Sequence, residues 1–476
     1  MITSSSEANF CAYSFDNYIM KHKKFLLSFV LCLLMFPAAA QSTERPTPVI
    51  LEEISGLLAG MKFREAIALF DSINPEDAAT TRIKLLKASV LNSVGNTGEA
   101  RTITQAVISA EPENIEALLT LSMIEARAGR TRDQRTVLER ILVIDPKNIT
   151  ALNDLALVLI QTRAFREAMT YYERTLEIDP DNLSALLGKA TVYRYYRDPY
   201  NAELVLNQAV RSHPNQAAPY HERARLYEGA GFPIQALADL DKAKDLDPSD
   251  YWIALDRANI LLDLFRKEQA LAEFERAISL NPGDYLAYAF TAGIKDELGD
   301  YNGAEKDYET LARLKPDYYF AFEGVGLHKM RRGQWSEARL AFAEVYRQAP
   351  NEYCYALLTA ANWMRADGIA APRQFLNQAM TRVRRDSIEY YMLRLYYDLT
   401  GRVYNGENDM LTRVDRETNA TVKARMLFYL AQYYDIRGNT NLANRYYQQF
   451  RQLEQRSLPE WRLNEWICAE RGLLPL

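Results

Sequence analysis

The chain has 476 residues, of which 48% are apolar and 25% charged, a balance that fits a large buried core and excludes disorder throughout. Lys plus Arg number 57 against 62 Asp plus Glu, a net charge of -5, so the basic excess of a nucleic-acid binder is absent. Four cysteines in a chain of this length cannot build a disulfide scaffold.

The first forty residues read as an address. Residues 20–41 are MKHKKFLLSFVLCLLMFPAAAQ. Lys21, Lys23 and Lys24 precede an uncharged run from Phe25 to Phe36, and Ala38-Ala39-Ala40 supplies small residues for a cut before Gln41. Charge, short apolar core and small-residue site in that order describe a secretory signal peptide. Twelve helical residues rise about 18 Å, short of the roughly 30 Å hydrocarbon core, so a membrane anchor is disfavoured. Leu31 before Cys32 argues against a lipoprotein signal. Met20 is the expected start, and residues 1–19 an extension upstream of it. Cleavage between Ala40 and Gln41 leaves 54 basic and 60 acidic residues and two cysteines, Cys354 and Cys468. Two buried, unpaired thiols are favoured there over a disulfide. The expected location is periplasmic or secreted, with no transmembrane span after signal removal.

Residues 41–80 predict a short linker and a degenerate first helix pair, FREAIALFDSINP at 63–75. From there a period takes over. Proline stands at 112, 146, 180, 214, 248, 282, 316 and 350, always 34 residues apart. Twelve residues before each proline stands a small residue (Ala100, Ala168, Ala202, Ala236, Ala270, Ala304, Ala338) or Gln134. Twenty-four residues before it stands another small one (Ala88, Ser122, Ala156, Ala190, Ala224, Ala258, Ala292, Gly326). Gly95, Gly129, Gly231, Gly299 and Gly333 fall between those two columns. Small residues on facing helices let backbones approach, glycine permits the left-handed end of the first helix, and proline ends the second. Asn114, Asn148, Asn182, Asp250 and Asp284 follow two residues after a proline and predict caps for the next helix. Each unit is a helix, a tight turn and an antiparallel helix; one pair cannot bury both its apolar faces, so neighbours must stack.

The pattern weakens over 353–423, where Pro372 takes the alanine column, Tyr397 and Gly401 suggest a further pair, and 402–422 predict a longer connection with a short helix. It returns in ARMLFYLAQYYDIRGNTNLANRYYQQF at 424–450, with Ala431, Gly438, Ala443 and Tyr447 at the unit spacing. PEWRLNEW predicts a closing helix that covers the last apolar face. Residues 351–476 hold 16 Arg and one Lys against 14 acids, so a basic end follows an acidic array; internal ion pairing is favoured over an acidic partner. The 30 tyrosines include doublets at 171–172, 195–196, 318–319, 390–391, 396–397, 433–434 and 446–447, favoured for packing between units.

On these residues the chain resembles the tetratricopeptide-repeat (TPR) family, whose period is 34. ALNDLALVLIQTRAFREAMTYYERTLEIDP at 151–180 matches best, and the resemblance covers eight units over 81–352. It implies an all-α, right-handed α-solenoid of antiparallel helix pairs with a divergent helical C-terminal end at 353–476. It also implies a concave groove lined by the fifth and ninth residues of each unit. Those map onto Asn153, Leu187 with Thr191, His221 with Arg225, and Leu255 with Asn259. Such a mixed surface suits an extended peptide or a partner helix. No unit pairs Lys at the fifth position with Asn at the ninth, which disfavours the chaperone-tail ligand of some members.

Chemistry is nearly absent. No H-E-x-x-H, C-x-x-C, phosphate loop or G-x-S-x-G occurs, and no histidine pair of the mature chain has metal spacing. Neither catalysis nor a cofactor nor a metal is expected. The favoured function is an exported, non-catalytic scaffold binding protein or peptide partners in the bacterial cell envelope. The alternative is a non-catalytic subunit of an envelope enzyme or of a secretion or assembly machine. The layout is loosely similar to bacterial envelope TPR adaptor lipoproteins, a likeness that implies a homodimer and a protease partner.

Overall fold

The computed structural model describes residues 45–401 and 406–473. The signal segment, the Ala40–Gln41 junction and residues 1–19 lie outside them. The described chain is all-α, with no strand among the described residues, and consecutive helices pack as pairs. The helices form two compact units, one up to Asp256 and one from Arg257.

In the unit up to Asp256, first helices begin at Thr81, Ile115, Ile149, Leu183 and Ala217, and second helices at Thr97, Thr131, Phe165, Pro199 and Pro233. Both series step by 34. The caps work as their residue types require: Asn114 accepts from the Ala117 amide at 2.9 Å, Asn148 from Ala151 at 3.0 Å, and Asn182 from Ala185 at 3.2 Å. The small columns close the pairs, and Ala100, Ala156, Ala168, Ala202 and Ala236 have no exposed surface. Leu138, Ile141, Leu152, Leu155 and Leu159 fill the space between them. The degenerate start departs from the rule. Helix Phe63–Leu69 runs into a single 3-10 turn, Phe70–Ser72, and Pro75 opens the short helix Pro75–Ala78 under an Asn74 cap.

The turn between the helices of a pair has one left-handed residue. It is glycine at Gly95 and Gly129 (φ 85° and 68°), but arginine at Arg163 and Arg197 (φ 60° and 57°). An L side chain there costs about 1–2 kcal/mol. A Cβ on Gly129 would have no neighbour within 4 Å, so only the backbone is at stake. Gly129→Ala is therefore expected to lower stability by about 1 kcal/mol, and Arg163→Gly to raise it by about 0.5 kcal/mol after the added chain entropy of glycine. Urea unfolding followed by circular dichroism checks both signs.

In the unit from Arg257 the register continues with second helices at Lys267, Tyr301 and Trp335 and first helices at Tyr285, Tyr319 and Tyr353. Pro372 does not interrupt a helix; it stands at the start of Arg373–Met380, which has room for only eight residues. Ile388–Gly401 and the short Glu407–Arg416 follow, and residues 402–405 lie outside the described chain. Ala420–Ile436 and Thr440–Gln452 form the late pair, with Ala431, Ala443 and Tyr447 fully buried and Gly438 left-handed at the turn.

Tyrosine is the packing residue of this end. Tyr396, Tyr429, Tyr433 and Tyr447 are buried, and all four hydroxyls bond inside the protein, as Tyr396 donates to the Tyr429 carbonyl at 2.8 Å. The arginines are used internally as well. Arg373 lies 4.4 Å from the Tyr397 ring centre and Arg413 3.5 Å from that of Tyr391, while Arg437 pairs with Glu407 and Arg471 with Asp435.

Candidate functional site

First helices carry the groove columns, and their side chains in residues 149–256 meet in a chain of polar contacts. Asn153 is buried and donates to the Asn182 cap at 3.1 Å. Leu187 is half-buried against the cluster of Ala190 and Leu206. Thr191 donates to the Leu187 carbonyl at 3.0 Å, a bond within its own helix that leaves the side chain half-exposed. His221 has no exposed surface, and its Nε2 lies 2.7 Å from Asp256. Arg225 stands 3.5 Å from the same carboxylate and 3.8 Å from Glu222, which also accepts from Arg194 at 2.9 Å. In the following unit Leu255 is buried and Asn259 half-buried.

His221, Arg225 and Thr191 thus line one row, yet their availability differs. Burial pulls the Asp256 carboxyl up, but the His221 hydrogen bond and the charges of His221, Arg225 and Arg194 together hold it below its usual range. An ionised Asp256 draws the imidazole inward, so His221 positions its neighbours and presents nothing to solvent. Sequence reasoning passed over Arg194, Glu222 and Asp256. The signal was available: Glu222 and Asp256 both hold the sixth place of their units, one residue after the groove column.

The turns of two successive repeats, Leu183–Ser212 and Ala217–Leu246, carry an edge of exposed apolar residues. Tyr195 and Tyr196 are each 50% exposed, Tyr200 and Ile234 70%, and Phe232 50%. All five stand at or next to the turn between the helices of a pair. Tyr195 stacks on Phe165 at 3.5 Å, which fixes one ring of the edge.

The unit from Arg257 has a second concentration of polar groups, built around the closing helix Pro459–Glu470. That helix packs on Ala420–Ile436 and Thr440–Gln452, and it also reaches back to Tyr319–Arg331. Arg462 pairs with the wholly buried Asp296 side chain, which also accepts from Tyr308 at 3.1 Å and lies 2.8 Å from His328. Trp466 meets Tyr301 edge-on at 5.3 Å and lies 5.3 Å from His328. Arg331 covers both rings, at 4.4 Å from Tyr301 and 5.5 Å from Trp466. Glu460 is fully buried, accepts from Tyr429 at 2.8 Å and lies 3.7 Å from Arg425.

None of this resembles an activated nucleophile or a metal centre. Cys354 and Cys468 are free and buried, and burial raises both thiols, Cys354 well above its usual value, so thiolate is scarce. Among the described residues no three His, Cys, Asp or Glu groups are placed to hold a metal ion. No described helix is long and apolar enough to cross a membrane.

Residues 149–182, 254–284 and 294–353 match tetratricopeptide-repeat family models. Nothing among curated proteins matches the chain. Solved structures similar to it include a tetratricopeptide repeat protein from Parabacteroides merdae, 20% identical over 51% of this chain and 96% of that one, with a TM-score of 0.43. PilF of Pseudomonas aeruginosa is 19% identical over 42% and 92%, with a TM-score of 0.38. MamA of Desulfovibrio magneticus is 18% identical over 35% and 95%, with a TM-score of 0.31. The matched segments and the 34-residue register of paired helices show that this chain carries tetratricopeptide repeats.

Proposed function

We propose that the chain is an exported, non-catalytic scaffold that holds protein or peptide segments on its repeat surface in the bacterial cell envelope. The exposed edge of Tyr195, Tyr196, Tyr200, Phe232 and Ile234 carries this reading. Exposed rigid aromatics are the composition of a binding surface, and large apolar side chains are costly to leave in water without a partner. The half-buried Leu187, Thr191 and Arg225 supply the mixed apolar and polar contacts that an extended segment requires. Export rests on the segment 20–40.

In-cell cross-linking tests both halves. Tyr200→Asp with Phe232→Asp is expected to cut partner recovery about tenfold, and Thr191→Arg to cut it by a similar factor, with the helical signal unchanged. Equal recovery from wild type and all variants would remove the repeat surface from consideration. The mature chain is expected to begin at Gln41 by intact-mass measurement; an uncut cytoplasmic chain contradicts the envelope assignment.

A further inference from the structure

The closing helix touches the array where the groove columns run. Glu323 is the fifth residue of its unit, and its carboxyl feels Glu460 and Arg462 of that helix. Asp296 lies three residues past the ninth place of the unit before it, and it receives Arg462. Arg462 and Trp466 are four apart, so they project from one face of Pro459–Glu470. They meet Asp296, and Tyr301 with His328 and Arg331, respectively. A guanidinium seated on a buried carboxylate, with an indole clasped between an aromatic ring and another guanidinium, is the chemistry of an anchored ligand.

Leu463 and Cys468 of the closing helix belong to the apolar core of this end, but its contact with the array through Arg462 and Glu460 is polar. Glu323 and Glu460 are two carboxylates held near each other, and desolvation raises both. Asn464 Oδ1 is buried without a hydrogen-bond partner, in a side chain with no exposed surface. Buried like charges and an unmatched acceptor weaken a contact that is otherwise well anchored. Residues 453–458 join the helix to the pair before it, and Glu454, Arg456 and Ser457 of that tether are exposed.

We propose that the face formed by Asp296, Tyr301, His328 and Arg331 is a binding site for a helix presenting an arginine and an aromatic residue four positions apart, and that Pro459–Glu470 is its displaceable resident. A partner helix of that chemistry competes with the chain's own. The proposal rests on the scaffold reading, and it assigns a ligand class to a part of the array distinct from the Tyr195–Ile234 edge.

The test severs the tether in the full-length protein. A protease site is placed between Glu454 and Ser457 and cut in the folded state, and a fluorescent peptide of residues 457–473 is added. The peptide is expected to exchange with the severed helix and to bind the cut protein about tenfold or more tightly than the uncut one, since the tether raises the resident's effective concentration. A peptide carrying Arg462→Ala and Trp466→Ala is expected to compete about tenfold less well. Three results overturn the proposal: no exchange, equal competition by the alanine peptide, or loss of the array's helical signal on cutting, since a ligand can leave and a core element cannot. Partner recovery at the aromatic edge is read with different variants, so either reading can fail without the other.

Discussion

Phe342→Ala is expected to destabilise the unit from Arg257 by about 3–5 kcal/mol, the range for deleting a buried aromatic ring from a packed core. Phe342 has no exposed surface, and its ring lies against Gly326 of the preceding helix so closely that a Cβ there would stand 2.8 Å from the ring carbons. The pair is a large residue fitted to the absence of a side chain. Gly326→Ala alone is therefore also destabilising, despite alanine's better helix propensity, because a ring in a packed interior cannot retreat. Gly326→Ala with Phe342→Leu should cost less than the two single changes added, since the new methyl occupies room the ring has vacated. Urea unfolding gives the magnitudes. Hydrogen exchange gives the extent: in a stacked array the loss concentrates in Tyr319–Arg331 and Trp335–Gln348, while helices such as Ile149–Gln161 keep their protection. A loss under 1 kcal/mol would mean that the ring fills no space the helices need.

The same pair marks how far the sequence could be followed. Gly326 stands in a column of small residues, so its smallness was visible, and the prolines 34 apart located the end of each second helix from Ala110 to Gln348. Those signals are local and repeated. The left-handed turn residues were visible only where glycine holds them; Arg163, Arg197 and Phe265 adopt the same backbone with no residue type to announce it, and only the period points to them. His221 fell in a groove column and is wholly buried, because an acid in the next unit, 35 residues away, draws it in. Arg462 meets Asp296 across 166 positions, with no periodicity to connect them. The closing helix itself was legible from Pro459 and its tryptophans; the surface it covers was not.

Arg425→Met is expected to cost about 3 kcal/mol at pH 7 and little near pH 4, and the pH dependence is the diagnostic part. Glu460 is fully buried in the first turn of Pro459–Glu470. Desolvation raises its carboxyl above the ordinary 4.5, while Arg425, its own backbone amide and the Tyr429 hydroxyl work the other way, and Glu352 and Glu323 face it as like charges. A carboxyl raised in the folded state holds its proton more tightly there than in the unfolded chain. Its contribution to stability is therefore present below about pH 4.5 and is lost as pH rises through the folded value. Removing the Arg425 guanidinium raises that value further and extends the loss toward neutrality. Methionine keeps most of the packing length, so the charge is what changes. The cost has a ceiling, because Glu460 can take a proton instead of remaining a bare buried anion, and holding it neutral at pH 7 against an ordinary 4.5 costs about 3 kcal/mol. Glu352 also loses a neighbour, but it is half-exposed and water replaces the guanidinium at small cost. Unfolding measured at pH 4, 5, 6 and 7 should show the deficit widening with pH, and Glu460→Gln added to the methionine variant should flatten it. A deficit equal at every pH would assign the loss to packing, and Arg425 would then hold the closing helix by its stem and not by its charge.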